Sequence, residues 1–190
     1  LHPTMNNLQK RSLNFLKHSG TIDMRHKFIL LLVSCFFFLT SAFSQPVPQK
    51  TRLLFVFDDS FSMYGDWQSG KKIEIAKKLM SEFLDSLMHN SSTDIEIALR
   101  VYGHQTSLWP GPPNCEDSKL EVPFAQIPVS VPKMKKVINS LTPTGTPPIA
   151  YSLGRCAFDF PADKSRNVII LITDGIEECK GDPCAVSLEL

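Results

Sequence analysis

Apolar and polar positions divide residues 51–190 into alternating blocks of two periods. Residues 53–57 (Leu-Leu-Phe-Val-Phe) form an uninterrupted apolar run that stops at Asp58-Asp59-Ser60. Such a run suits a strand covered on both faces in a parallel sheet. From Lys71 the period lengthens, and Ala76, Leu79, Met80, Phe83, Leu84, Leu87 and Met88 recur at the three-and-four spacing of an amphipathic helix with a core-facing stripe. Ile95, Ile97, Leu99 and Val101 then alternate with Glu96, Ala98 and Arg100, which predicts a strand with one less protected face. A Pro- and Gly-rich loop follows between His104 and Cys115, and residues 120–124 return as a short strand whose Pro123 favours an edge position. Ser130-Val131-Pro132 has the composition of a helix cap and first turn, and Thr146-Pro147 of a second, with Ile149, Leu153 and Cys156 on the inner face. Residues 168–172 (Val-Ile-Ile-Leu-Ile) repeat the continuous apolar pattern and again end in an acidic turn, Asp174-Gly175.

This alternation predicts an α/β fold: a doubly wound, mostly parallel sheet flanked by helices. Leu190 falls a few positions into the next expected helix. The expectation is therefore a domain over residues 51–190 that is C-terminally truncated, with apolar surface exposed where further strands would pack.

The N-terminal quarter follows different rules. Residues 1–23 begin with Leu1 and sustain neither period, and they read as an upstream segment foreign to the domain. Residues 24–44 open with Met24, Arg25 and Lys27, continue through an apolar run over residues 28–39, and end in small residues around Ser41 and Ala42. That is the arrangement of a secretory signal peptide, cleaved near Ser44, and the run is shorter than the roughly 20 residues a membrane span needs. A lipid anchor on Cys35 is disfavoured because Phe36, Phe37, Phe38 and Leu39 keep the chain apolar beyond it. Residues 45–50, with two prolines, read as an extended linker. Any membrane association would run through the signal peptide or such an anchor, and the expected location is the exterior, the periplasm or the cell envelope.

Charge narrows the function further. Of the 20 Lys and Arg and the 19 Asp and Glu, residues 1–44 hold five and one, leaving a formal charge of −3 on the remainder. That balance disfavours a nucleic-acid surface, which needs basic side chains to neutralise phosphates. Cys115, Cys156, Cys179 and Cys184 remain after the signal peptide and allow three pairings. Lys180-Gly181-Asp182-Pro183 has the composition of a tight turn, so the expected disulfide joins Cys179 to Cys184. Cys115 and Cys156 stay open as a pair or as free thiols. His104 lacks the short Cys spacings of a zinc site, and Asn90-Ser91-Ser92 reads as a helix end rather than a glycosylation acceptor.

The candidate chemistry lies at strand ends. Asp58, Ser60 and Ser62 give the spacing Asp-x-Ser-x-Ser directly after the first apolar run. Ligands of open α/β sheets bind outside the carboxyl ends of strands, where this pattern sits. A second hydroxyl loop, Thr144-Gly145-Thr146, opens a helix, and Asp174 ends another apolar strand. Three loops thus bring oxygen donors to one sheet edge. Asp58-Asp59 also invites comparison with phosphotransferases that use an aspartate nucleophile, but these place a second acid where this chain has Ser60, and no lysine motif completes such a site. A purely structural envelope component with a stabilising metal is a further alternative.

In this order, Asp-x-Ser-x-Ser, the Thr146 loop and Asp174-Gly175 resemble the metal-ion-dependent adhesion site of the von Willebrand factor type A family. Met63, residues 72–77, Val101-Tyr102-Gly103-His104 and the segments around Glu177, Cys179 and Cys184 resemble a secreted bacterial branch of it. The resemblance spans residues 52–190, and Phe61 departs from it where the family more often has a small residue. It implies that Ser60, Ser62 and Thr146 touch a divalent metal through hydroxyls, with Asp58 and Asp174 acting largely through bound water. Mg²⁺, with Mn²⁺ or Ca²⁺ as alternatives, suits such a site because a hard cation takes oxygen donors and keeps waters. With neutral hydroxyls inside and carboxylates set back, the ion stays electron-poor and can accept an acidic side chain from a protein partner. The implied module binds rather than catalyses, and Tyr64 and Trp67 lie where they could line the partner surface.

Overall fold

The computed structural model describes residues 50–89 and 94–190. The upstream segment, the signal peptide, Cys35, nearly all of the linker and Asn90-Ser91-Ser92 lie outside the described residues. Strand β1 (Thr51–Asp58) leads through a 3-10 turn (Phe61–Tyr64) and a small hairpin, β2 (Asp66–Trp67) and β3 (Gly70–Lys71), into helix α1 (Lys72–His89). Then come β4 (Ile95–Tyr102), β5 (Ser118–Gln126), α2 (Ile127–Ser140), α3 (Ile149–Asp159), β6 (Arg166–Ile172) and α4 (Pro183–Glu189). The main sheet has the order β5-β4-β1-β6. Both β4 and β6 run parallel to β1, and β5 is the antiparallel edge strand. Among the described residues no helix is long and apolar enough to cross a membrane.

The period-two alternation of β1 divides the core. Phe55 and Phe57 face α1 and α2, packing with Met80, Leu84, Met134 and Ile138. Leu54 and Val56 face the other way, onto Ile149, Leu153 and Cys156 of α3. Burying each such side chain contributes roughly 1.5–3 kcal/mol, so β1, covered on both faces, anchors the fold. Helices therefore flank both faces of a mostly parallel sheet, as the alternation of periods predicts.

Several local expectations are corrected. Every residue of β4 from Ile97 to Tyr102 is buried, including Arg100. Its guanidinium donates two 2.7 Å bonds to Asp159 at the end of α3, so the polar face of this strand is closed by an ion pair rather than by water. Helix α2 begins at Ile127, three residues before the expected cap, with Pro128 in its first turn and Pro132 inside it. Ser130 donates to the carbonyls of Ile97 and Ala125 and pins the helix to the sheet instead of capping it. Helix α3 starts at Ile149, so Thr146 and Pro147 belong to the preceding loop.

The stripe of α1 is only partly covered: Met80 and Leu84 are buried, whereas Leu79, Phe83 and Met88 are exposed. Leu79 and Phe83 line an apolar groove of about 720 Å³ with Ile170 and Ile172 of β6. On the opposite face, Leu153, Phe160, Ile169 and Leu171 line a second groove of about 550 Å³. Among the described residues β6 is the sheet's other edge, which leaves its continuous apolar run half-buried rather than enclosed.

The expected Cys179–Cys184 disulfide is replaced by Cys115–Cys179, with Cα atoms 5.5 Å apart. Cys184 is free and exposed, and Cys156 is free and buried. Burial pushes the Cys156 thiol up to about 12, keeping it protonated and inert. The turn between Cys179 and Cys184 serves another end: Asp182 accepts from the Ala185 amide and caps α4. The loop before β5 and the loop after β6 meet at the same end of the sheet, which carries Cys115 to Cys179. Peptide mapping without reduction is expected to link Cys115 to Cys179 and to leave Cys184 open to alkylation. Cys115→Ser should lower the unfolding free energy by about 2–4 kcal/mol, whereas Cys184→Ser should leave it within about 0.5 kcal/mol, both read by chemical denaturation.

Candidate functional site

Asp58 is the last residue of β1 and is fully buried. Its carboxylate turns the chain back on itself by accepting the Ser60 amide at 2.9 Å. The other oxygen accepts the Thr173 hydroxyl at 2.8 Å, joining the ends of β1 and β6. The same turn aims Ser60 and Ser62 alike, and their hydroxyl oxygens lie 3.0 Å apart. Ser62 donates to one oxygen of Asp174 at 2.8 Å, while the Lys72 ammonium donates to the other at 2.5 Å.

The Thr146 loop is laced to this turn through its backbone. Phe61 donates to the Gly145 carbonyl, Gly145 to the Gly103 carbonyl, and Thr144 to the Asp59 carbonyl. Such close approach excludes side chains. A Cβ on Gly145 would stand 2.7 Å from the Thr106 carbonyl oxygen, and Gly103, at φ +70°, would place one 2.9 Å from the Ser60 Cα. Only glycine meets both demands at Gly103. Beneath the loops, the buried Asp117 accepts the amides of Gln105 and Thr106 and shapes the segment that follows β4.

All five candidate ligands therefore gather at the C-terminal end of the parallel strands. Asp58, Ser60, Ser62 and Asp174 are tied by the bonds above, and Thr146 follows Gly145, which bridges to Ser60. The Thr146 hydroxyl is buried and has no hydrogen-bond partner, as is also true of Thr144. A buried hydroxyl without a partner carries a desolvation penalty of about 1–3 kcal/mol. Oxygen donors of this kind fit a hard divalent cation. Among the described residues no group of three or more His, Cys, Asp or Glu is set to hold a metal, so a cation here would depend on hydroxyls.

The spacing pattern passed over three contributors. Thr173 holds Asp58, Lys72 pairs with Asp174, and Glu177 accepts the amides of Ala150 and Cys179, fastening the loop after β6 to α3. Thr173 is adjacent to Asp174, yet its bond to Asp58 crosses 115 positions of sequence. Phe61, Tyr64 and Trp67 are all exposed in the segment following the first motif, and Phe61 packs edge-on against Tyr64.

Burial sets the charge at Asp59. One of its oxygens accepts the Thr142 amide at 3.0 Å, while the other has no partner. Desolvation pushes this carboxyl up to about 7, reinforced by the charges of Asp58 and Asp117 and opposed by the Thr142 bond and Lys77. Desolvation, aided by the Asp58 charge, also raises the buried Tyr102 hydroxyl, which stays neutral.

No family model matches the chain. It is 32% identical over 146 residues to the uncharacterized protein YwmD of Bacillus subtilis (strain 168), an alignment covering 76% of this chain and 63% of YwmD. The chain thus spans less than two thirds of the length of that relative. Among solved structures, it is similar to the vWF domain of the type V pili tip protein Mfa5 from Porphyromonas gingivalis, with a TM-score of 0.53 and 19% identity over 69% of this chain and 40% of that one. It is also similar to the pilus adhesin SpaC from Lactobacillus rhamnosus GG, with a TM-score of 0.55 and 18% identity over 70% of this chain and 16% of SpaC. The fold, a mostly parallel sheet with helices on both faces, is like that of the Mfa5 vWF domain.

The Asp59 carboxyl titrates near 3.8 when unfolded and near 7 when folded, so between these values the folded protein holds the extra proton. Stability is present in full below the lower value and is lost as pH rises through the upper one. Metal-free protein should accordingly melt at a lower temperature at pH 8 than at pH 5.5. Asp59→Asn, neutral throughout, should flatten that dependence in a thermal melt series, and an unchanged slope would contradict the assignment.

Proposed function

We propose that this chain is a metal-dependent protein-binding module of the cell envelope or exterior, whose cation captures a carboxylate of a protein partner. The observation that carries this reading is the Thr146 hydroxyl, buried without a partner beside the bonded series Ser60, Ser62 and Asp174. Ser60, Ser62 and Thr146 would hold Mg²⁺, or Mn²⁺ or Ca²⁺, through neutral oxygens, with Asp58 and Asp174 behind them. The ion supplies a Lewis-acidic position for an acidic side chain. The protein's own part is to hold the hydroxyls in place before the ion arrives, through the Asp58 bonds and the Gly145 backbone contacts.

Other features support the same reading. The similar structures are those of a pilus tip protein and a pilus adhesin. A disulfide suits an oxidising compartment outside the cytoplasm, in keeping with the signal peptide read from residues 24–44. The phosphotransferase alternative is disfavoured because both Asp58 oxygens are engaged and the side chain is fully buried, so neither is presented to a substrate.

Isothermal titration of the purified protein with Mn²⁺ and Mg²⁺ tests the proposal. Thr146→Val keeps the shape of the side chain and removes its hydroxyl. It should weaken metal affinity at least about tenfold, a loss of about 1.4 kcal/mol, while the metal-free variant melts no lower than wild type, because a buried hydroxyl without a partner has been removed. Metal uptake by Thr146→Val equal to wild type, or no uptake by wild type, would overturn the reading.

A further inference from the structure

Lys72 contacts one candidate ligand from outside the Asp-x-Ser-x-Ser pattern, and its placement is specific. It is the first residue of α1, where the helix presents the positive end of its dipole. An ammonium gains nothing from the helix there, so what it gains comes from elsewhere. Its amide donates to the Gly65 carbonyl at 3.0 Å, which fixes the start of the arm. The arm then crosses Gly65 so closely that a Cβ at that position would stand 3.3 Å from its Cε and 3.4 Å from its Nζ. It ends on Asp174 at 2.5 Å, and both side chains are largely withdrawn from solvent.

Asp174 is thereby fully engaged, with one oxygen bonded to Ser62 and the other to Lys72. A divalent cation held by Ser60, Ser62 and Thr146 needs the negative charge of Asp174, directly or through water. It would have to share that carboxylate with a fixed positive charge on the same group. Two cations drawn to one partly buried carboxylate repel each other with little solvent screening.

We infer that Lys72 is a tethered counter-cation that competes with the metal for Asp174 and so sets the cation affinity of the site, an inference that rests on the metal-binding reading above. In the metal-free protein it neutralises Asp174 and keeps the loop after β6 in place. When a cation enters, the Lys72–Asp174 bond weakens or opens. Lys72 is an affinity-determining residue, not a ligand. Gly65 serves it by leaving the arm a path across the turn.

The test is Mn²⁺ titration of purified wild type, Lys72→Met and Lys72→Arg, following free Mn²⁺ by electron paramagnetic resonance, with thermal melts of each protein with and without Mn²⁺. Lys72→Met should bind Mn²⁺ about three- to tenfold more tightly than wild type, in proportion to the loss of one partly buried ion pair. Lys72→Arg, which keeps the competing charge, should stay within about twofold of wild type. Without metal, Lys72→Met should melt below wild type, and its rise on adding Mn²⁺ should be the larger of the two. Lys72→Gln supplies the same comparison should Met at this position fail to fold. Equal or weaker Mn²⁺ binding by the neutral variants overturns the competition while leaving the metal site standing. Absence of Mn²⁺ uptake by every protein, wild type included, overturns both.

Discussion

The C-terminal end of β1 is held by one buried carboxylate. Asp58 has no exposure, yet both its oxygens are bonded, one to the Ser60 amide two residues on and the other to the Thr173 hydroxyl at the end of β6. A carboxylate so far from water is tolerable only with its hydrogen bonds made. That requirement bends the chain after β1 into the turn that points Ser60 and Ser62 together, and it brings the end of β6, with Asp174, alongside.

Backbone contact without side chains is the second requirement. Gly103 lets the segment after β4 approach the turn, and Gly145 lets the loop before α3 approach that segment, more closely than any Cβ would permit. Three loops from separate parts of the chain thus share one set of main-chain bonds, and Thr146 is carried in with them. Rigid strands end in a cluster of oxygens whose geometry the backbone contacts set.

Acidic charge accumulates at this end. Asp58, Asp59, Asp117 and Asp174 all lie there, and they are accommodated in three ways. Asp58 and Asp117 are satisfied by amides and hydroxyls, Asp59 is held toward its protonated form by burial, and Asp174 is paired with Lys72. The cluster therefore combines the hydroxyls of Ser60, Ser62 and Thr146 with the carboxylates of Asp58 and Asp174.

The parts of this protein readable from residue order are those whose physics is local. The continuous apolar run of residues 53–57 and the three-and-four spacing of α1 give strand and helix directly, because period follows from backbone geometry. Asp58, Ser60 and Ser62 stand out because the spacing Asp-x-Ser-x-Ser directly follows a strand, and Asp174 because it closely follows another. What stayed hidden depends on partners far away in sequence. Arg100 has the form of a solvent-facing strand residue until Asp159 of α3 closes over it. The Cys179–Cys184 turn is plausible by composition, but two loops meeting at one sheet end pair Cys179 with Cys115, 64 positions away. The run at residues 168–172 has the pattern of an enclosed strand, yet its place at the sheet edge leaves it half-covered. Sequence by itself determined the fold class, the strand ends and the chemical type of the candidate ligands. Tertiary structure alone decided which of them touch, which charges are paired and which cysteines join, because those depend on distances that only the packing of separate segments sets.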